Sequence, residues 1–518
     1  MRERPSLSPL VALALTFFGH FGPVTPALGA GGSLTIRLED ENSSEPAISR
    51  VEFFRGAAPT AKREKHMPVR NTVPAGLGLV VDRAVVLELP DGPYRFTATR
   101  GPEYRIVRGT FELEKTSLDE KTIVLPRMAD MAGEGWISGD CCVVPSSYSL
   151  PLRMASEDLH VAAVLGVQKA KPIPRRDRDE KIEHDPSWIR ADATHTNGLV
   201  FYGSLPKPKG DGPEAFAMLA AIDQDTPQPT RIGVENPFAW ELPVWLASKR
   251  VDGLFVLGDW LRLDKRVLRI REGRNLDSFS LNEPTQLGRY AERIYRNALD
   301  AGLSIVPLAG GGDRSAQTPV GYNRMYVTRP GGTSGDVDSP VAPTSDGDWW
   351  DQLWAGHSVA TNGPLLRPMV GGRLPGSTFQ ARSGESLLLQ PELNLTVRDP
   401  VEYLEVIHNN RVHYSARLDE FARAGGVIPA IEAKESGWVV IRVLTLHGEH
   451  YRAAMSAPWW IEFDGRKRVS KSAVDFFSDW LADYEAKLRQ LPADELQVYV
   501  PYIQAARRFW SELEAVAQ

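Results

Sequence analysis

Trp136-Ile-Ser-Gly-Asp-Cys-Cys-Val-Val-Pro145 decides how this chain of 518 residues is read. Its apolar residues run together and a proline closes it, the pattern of a buried strand. Asp140 and Cys142 fall at its carboxyl end, where α/β sheets carry their chemistry. Cys141 and Cys142 are the only cysteines. Adjacent Cα atoms stand about 3.8 Å apart, short of the roughly 4.4–6.8 Å that a disulfide spans. Two buried thiols packed at a strand end are therefore expected over a strained vicinal bridge.

Outward from this stretch the period changes. Upstream, residues 33–38, 51–54, 79–82, 84–89, 94–99 and 110–114 alternate as short strands between turn signals. Pro90-Asp-Gly-Pro93 is a turn, because Gly92 tolerates positive φ and each proline fixes its own. Strands without intervening helices predict a β-sandwich. Downstream, strand candidates at 135–138, 160–165, 253–257, 304–308 and 323–327 alternate with helical stretches. The clearest helix covers 287–301, with Leu287, Tyr290, Ala291, Ile294, Tyr295, Ala298 and Leu299 on one face and Gly302 as its stop. Alternating strands and helices imply a mainly parallel sheet, open or closed into a barrel. Residues 169–197 are charged and contain proline, so a surface loop is expected there. After Gly371-Gly-Arg-Leu-Pro-Gly376 the strand period returns at 385–397, 403–407, 412–417 and 438–443. Two amphipathic helices follow at 474–488 and 496–516, split by Pro492. Their aromatic stripe (Phe476, Phe477, Trp480, Tyr484) is expected to pack on the body of the protein.

Trp-x-Ser-Gly-Asp at 136–140, followed by Leu152-Arg-Met-Ala-Ser-Glu-Asp-Leu-His-Val161, resembles the PHP (polymerase and histidinol phosphatase) superfamily of metallohydrolases, and within it the secreted, carbaryl-hydrolase-like branch. Asn236-Pro-Phe-Ala-Trp-Glu-Leu-Pro-Val-Trp-Leu-Ala247, Thr318-Pro-Val-Gly-Tyr-Asn-Arg324 and Thr361-Asn-Gly-Pro-Leu-Leu366 extend the resemblance over residues 136–374. It implies a distorted β/α barrel with divalent ions at the carboxyl ends of the strands. There imidazoles and carboxylates converge on metals that lower the pKa of a bound water. In the family the Gly-Asp precedes a His-x-His pair; here the matching positions hold Cys142 and Val144. An acidic ligand survives as Glu235, and Asp259 stands in a segment that usually contains histidine. Cys142, Glu235 and Asp259 are thus the candidate metal ligands, a donor set suited to zinc or manganese. Asp140, Asn236, Asp313, Arg314, Arg324, His357 and Asn362 are the candidate pocket residues. Buried carboxylates left without metal would need other partners, such as Arg289, Arg314 or Arg324.

Other motifs do not replace the missing imidazoles. His160 belongs to a strand pattern and reads as a core group. His447-Gly-Glu-His450 has metal-like spacing but lies among strands, where a hairpin with two exposed histidines is expected. There is no Gly-x-Ser-x-Gly elbow and no P-loop. Ala309-Gly-Gly-Gly-Asp-Arg-Ser315 follows a strand, and either presents its N–H groups to an anion or makes a tight turn.

Composition bounds the remaining classes. Apolar residues at 42% and charged ones at 24% are those of a globular protein. A net charge of −6 without a basic run argues against nucleic acid. Arg2 and Arg4, the apolar run 10–18 and the small residues Ala27-Leu-Gly-Ala30 have the form of a secretory signal peptide. Export to the periplasm or the exterior is expected after cleavage near residue 30, with no transmembrane segment.

The sequence therefore implies a signal peptide (1–30) and an N-terminal β-sandwich (31–130), whose Leu89-Pro-Asp-Gly-Pro-Tyr-Arg-Phe96 resembles transthyretin-like or carboxypeptidase-regulatory modules. A PHP-like α/β barrel (131–375), a second β-sandwich (376–466) and a helical hairpin (467–518) follow. Loss of the histidines implies a pseudoenzyme without a cofactor, binding a small molecule, carbohydrate or protein, or serving as a structural spacer. The alternative is a metal-dependent hydrolase of phosphoester, ester or carbamate bonds with a rebuilt site.

Overall fold

The computed structural model describes residues 32–59, 66–70, 72–114, 118–144, 148–166, 186–208, 212–222, 229–261, 273–274, 284–311, 318–331, 338–447 and 450–518. The expected signal peptide, Gly312, Asp313, Arg314 and Ser315 lie outside these residues.

The N-terminal region contains β1 (Ser33–Asp40), β2 (Ile48–Arg55), β3 (Val73–Ala75), β4 (Gly78–Asp82), β5 (Ala84–Glu88), β6 (Gly92–Thr99), β7 (Val107–Leu113) and β8 (Leu118–Leu125). They form a three-stranded sheet, β5-β1-β8, and a five-stranded sheet, β3-β4-β2-β6-β7. Alternate residues of both sheets, among them Ile36, Val51, Phe53, Tyr94 and Phe96, share one apolar core, as period-two strands require. Gly92 has φ +132°, the freedom its turn needs.

The α/β body runs through β9 (Ile137–Val143), α1 (Leu150–Ser156), β10 (Val161–Gly166), β11 (Trp188–Thr196), β12 (Leu199–Tyr202), α2 (Glu214–Ala220), β13 (Arg231–Val234), α3 (Leu242–Ala247), β14 (Gly253–Leu257), α4 (Pro284–Asp300), β15 (Val306–Ala309) and β16 (Arg324–Val327). β9, β10, β11, β13, β14 and β15 all point the same way, with β12 reversed between β11 and β13. α4 buries the face expected for it, and Gly302 ends it with φ +83°. β11 falls inside the expected surface loop. Of its nine residues only Ala193 is fully buried, so a charged, half-exposed strand carried no apolar alternation.

β17 (Arg329–Pro330) pairs with β18 (Pro340–Val341); α5 (Asp346–Ala355) and β19 (Ser358–Thr361) follow. α5 opens with Ser345, whose hydroxyl accepts the Asp348 N–H, the usual N-terminal cap. The remaining strands are β20 (Leu365–Val370), β21 (Thr378–Ala381), β22 (Leu387–Leu389), β23 (Pro391–Thr396), β24 (Val401–His408), β25 (Arg411–Ala416), β26 (Ile431–Ala433), β27 (Gly437–Thr445), β28 (Arg452–Ser456) and β29 (Trp459–Phe463), with α6 (Leu418–Arg423) among them. The body's sheet does not stop near residue 375. β16 pairs with β9 and β19, β19 pairs with β28, and the ladder continues through β27 and β24 to β25. The chain therefore uses the outer edge of β19 instead of leaving its N–H and C=O groups unpaired.

α7 (Lys471–Leu488), α8 (Ala493–Gln497) and α9 (Val500–Glu514) close the chain. Phe477, Trp480, Tyr484 and Trp510 are buried in the core that the body supplies, and the Trp510 indole N–H donates to the Pro243 carbonyl at 3.0 Å. Among the described residues no helix is long and apolar enough to cross a membrane. The whole is a β-rich α/β protein of several sheets.

Candidate functional site

The parallel strands of the body deliver Glu235, Asp259 and Gly310 just past their carboxyl ends, and Asp140 from within β9. Asp140 is 1% exposed. Its Oδ1 accepts the N–H of Cys142 at 2.9 Å and of Gly311 at 3.0 Å; its Oδ2 accepts Gly311 at 3.1 Å and Gly321 at 2.8 Å. β9 stands six strands from β15 in the sheet order, so this clamp exists only because the sheet curls back on itself. The glycines are needed for closeness. A Cβ at Gly310 would sit 2.6 Å from the Cys142 Cβ, and one at Gly311 would sit 3.0 Å from Asp140 Oδ2. The described part of the glycine run thus does face an anion, and that anion is the protein's own carboxylate.

Burial pushes the Asp140 carboxyl up from its ordinary 3.8 to about 6, against the pull of the N–H groups and the Arg324 guanidinium. The chain meets the cost of burying a carboxylate with backbone donors. Arg324, itself 1% exposed, turns to main-chain carbonyls, Glu157 O at 3.0 Å and Gly321 O. Arg289 reaches Glu402 at 3.4 Å instead. Cys141 and Cys142 are both buried, and no disulfide joins them. Burial and then the Asp140 charge push the Cys141 thiol up, which makes it a poor nucleophile.

The other candidates separate. Glu235 follows β13 and meets His195, near the end of β11, with Nε2 to Oε2 at 3.1 Å. His195 was not a sequence candidate; its place two strands from Glu235 required knowing that 188–196 is a strand. Asn236 takes the N–H of Phe238 at 3.1 Å and lines a cavity of about 470 Å³ with Trp240, Trp245, Glu241, Tyr484 and Tyr499. Asn362 is tied on both sides of its amide, donating to Tyr451 O at 2.9 Å and accepting Ala453 N–H at 2.9 Å. Asn323, also missed, donates to Gly258 O at 2.9 Å and lies within reach of Gly310 O at 3.3 Å. It pins the ends of β14 and β15 to β16.

His357 does not border this side. It precedes β19 beside the start of β9, at the opposite end of the sheet, and its Nδ1 contacts Pro375 O at 2.6 Å. Burial pulls its imidazole below the ordinary value. His160 is a core group, 6% exposed, with Nδ1 2.9 Å from the Ser138 hydroxyl. His447 and His450 lie between β27 and β28, ring centres 4.8 Å apart. His450 is 7% exposed, a correction to the exposed pair expected, because the strands it joins are interior to the sheet.

Cys142, Glu235 and Asp259 do not form a ligand group. Among the described residues no three His, Cys, Asp or Glu side chains are grouped so as to hold a metal ion. The His195–Glu235 pair brings two possible donors together among the described residues; a catalytic zinc site uses three protein ligands. No family model matches the chain, no curated protein matches it, and no solved structure matches it.

Proposed function

We propose that the chain is an exported pseudoenzyme, a PHP-like barrel set between two β-sandwiches that binds a ligand without turning it over. One observation carries this reading: the Asp140 carboxylate, which in the resembled family directly precedes the metal-binding His-x-His pair, is closed over by the N–H groups of Cys142, Gly311 and Gly321. Its lone pairs are spent on the backbone. The curl that brings β15 to β9 supports the barrel, and Cys142 and Val144 at the positions of the family's histidine pair support the loss of hydrolysis. The test is elemental analysis of purified, tag-free protein by mass spectrometry, before and after dialysis against zinc or manganese. Metal below about a tenth of an equivalent is expected, since cysteine and valine stand where the family's histidine pair would ligate. Near-stoichiometric metal that survives dialysis refutes the reading.

The His195–Glu235 pair favours a second reading, a hydrolase of ester, phosphoester or carbamate bonds on a rebuilt centre. In that case His195→Ala abolishes metal uptake, whereas under the first reading it changes nothing measurable.

A further inference from the structure

A cleft of about 790 Å³ separates the N-terminal strands from the body, within the size range of small-molecule sites. Six arginines line it: Arg50 on β2, Arg95 on β6, Arg108 on β7, Arg324 opening β16, Arg398 before β24 and Arg452 opening β28. Among the described residues two carboxylates join them in its wall, Glu52 and Glu157, and both are committed to Arg50, at 2.8 and 2.7 Å. In a chain of net charge −6, this is a local concentration of positive charge drawn from three distant parts of the sequence.

Main-chain carbonyls take much of what these arginines donate. Arg398 donates to the carbonyls of Gly101 and Tyr104 at 3.2 and 3.3 Å, and Arg324 to those of Gly321 and Glu157. Arg95 reaches the carbonyls of residues 55, 56 and 58. Arg452 pairs with Asp399 at 2.7 Å. The Nε atoms of Arg398 and of Arg452, the latter 9% exposed, are buried without a hydrogen-bond partner among the described residues. Burial first, and then the charges of Arg452 and Arg324, lower Arg398 to about 10. Buried N–H groups left unpaired beside like charges cost stability. The planar guanidinium is the side chain best matched to carboxylate and phosphate oxygens.

We infer that this cleft is a binding site for a small organic polyanion carrying carboxylate or phosphate groups, held between the N-terminal strands and the body. The site is independent of whether the body retains metal chemistry, so elemental analysis neither supports nor removes it.

Calorimetric titration of the full chain at low ionic strength, with inorganic pyrophosphate in one arm and citrate in the other, tests it. Saturable one-to-one binding that weakens with added salt is expected. Binding of pyrophosphate alone names phosphate as the ligand group, citrate alone names carboxylate, and both name the shared oxyanion. Arg452→Gln is expected to weaken binding about tenfold or more, the worth of a charge-assisted hydrogen bond. Because that change also breaks the Asp399 pair, Arg108→Gln, at an exposed position, is measured beside it, with a loss of about threefold expected for a rim charge. Absence of binding in both arms overturns the inference, and so does binding that Arg108→Gln and Arg452→Gln leave unchanged.

Discussion

Asp140→Asn isolates the clamp at the end of β9. The wild-type carboxyl has its folded-state value raised from 3.8 to about 6 by burial. The folded protein therefore holds this proton more tightly than the unfolded chain does. The stabilisation that goes with it is fully present below about pH 4 and is lost as pH rises through about 6. A rise of that size corresponds to about 3 kcal/mol. Asparagine cannot ionise, so its stability has no such slope. Urea unfolding of both proteins at intervals from pH 4 to pH 7.5 gives two curves whose difference removes the other titrating groups. That difference should move by about 2–3 kcal/mol in favour of the asparagine variant as pH rises, mostly between pH 4 and 6. The amide must also turn an N–H₂ toward Cys142, Gly311 or Gly321, at a cost of about 1–3 kcal/mol that does not vary with pH. A difference constant across the range refutes the argument, for it would mean that the backbone donors fully offset burial.

Gly310→Ala places a methyl 2.6 Å from the Cys142 Cβ and 2.8 Å from its nitrogen. Neither neighbour is a flexible chain end, so a loss of about 1–3 kcal/mol is expected as a lowered urea midpoint with unchanged slope. Glu292, 2% exposed, holds Arg442, Arg296 and the Tyr451 hydroxyl. Burial would raise its carboxyl, yet the arginines keep it below the ordinary value. Its stabilisation is thus present above about pH 4.5 and lost as pH falls through the lower folded value. Glu292→Gln should cost about 3–5 kcal/mol at pH 7, and the cost should shrink on acidification. Trp349 is fully buried and donates its indole N–H to Ile137 O at 3.0 Å. Trp349→Ala should lower stability by about 3–5 kcal/mol in the same assay.

What was legible in the sequence is what strong periodicity encodes. The strand at 253–257 and the helix around 287–301 stand where the apolar spacing puts them, because both are buried on the faces that spacing marks. β8 and β11 were not legible, since most of their side chains reach solvent. The sheet's crossing from β19 to β28 left no signal, because pairing is a backbone property and side-chain pattern records only faces. The site divides the same way. Asp140 and the glycine run after β15 could be named in advance from their places relative to strands. That the donors to Asp140 are Gly311 and Gly321, 171 and 181 residues away, follows from curvature alone. The pairing of His195 with Glu235 likewise needed the reversed strand β12 between their own strands.

The seam between β19 and β28 has a practical side. A chain ended near residue 375 would bare the β19 edge along Val359–Thr361 and expose Trp136, Tyr326 and Leu365, whose apolar neighbours include Leu404, Val443 and Trp459. Such a fragment offers an open ladder and a greasy flank to any second copy, the ingredients of aggregation. The body and the strands after it are better handled, cut and expressed as one piece.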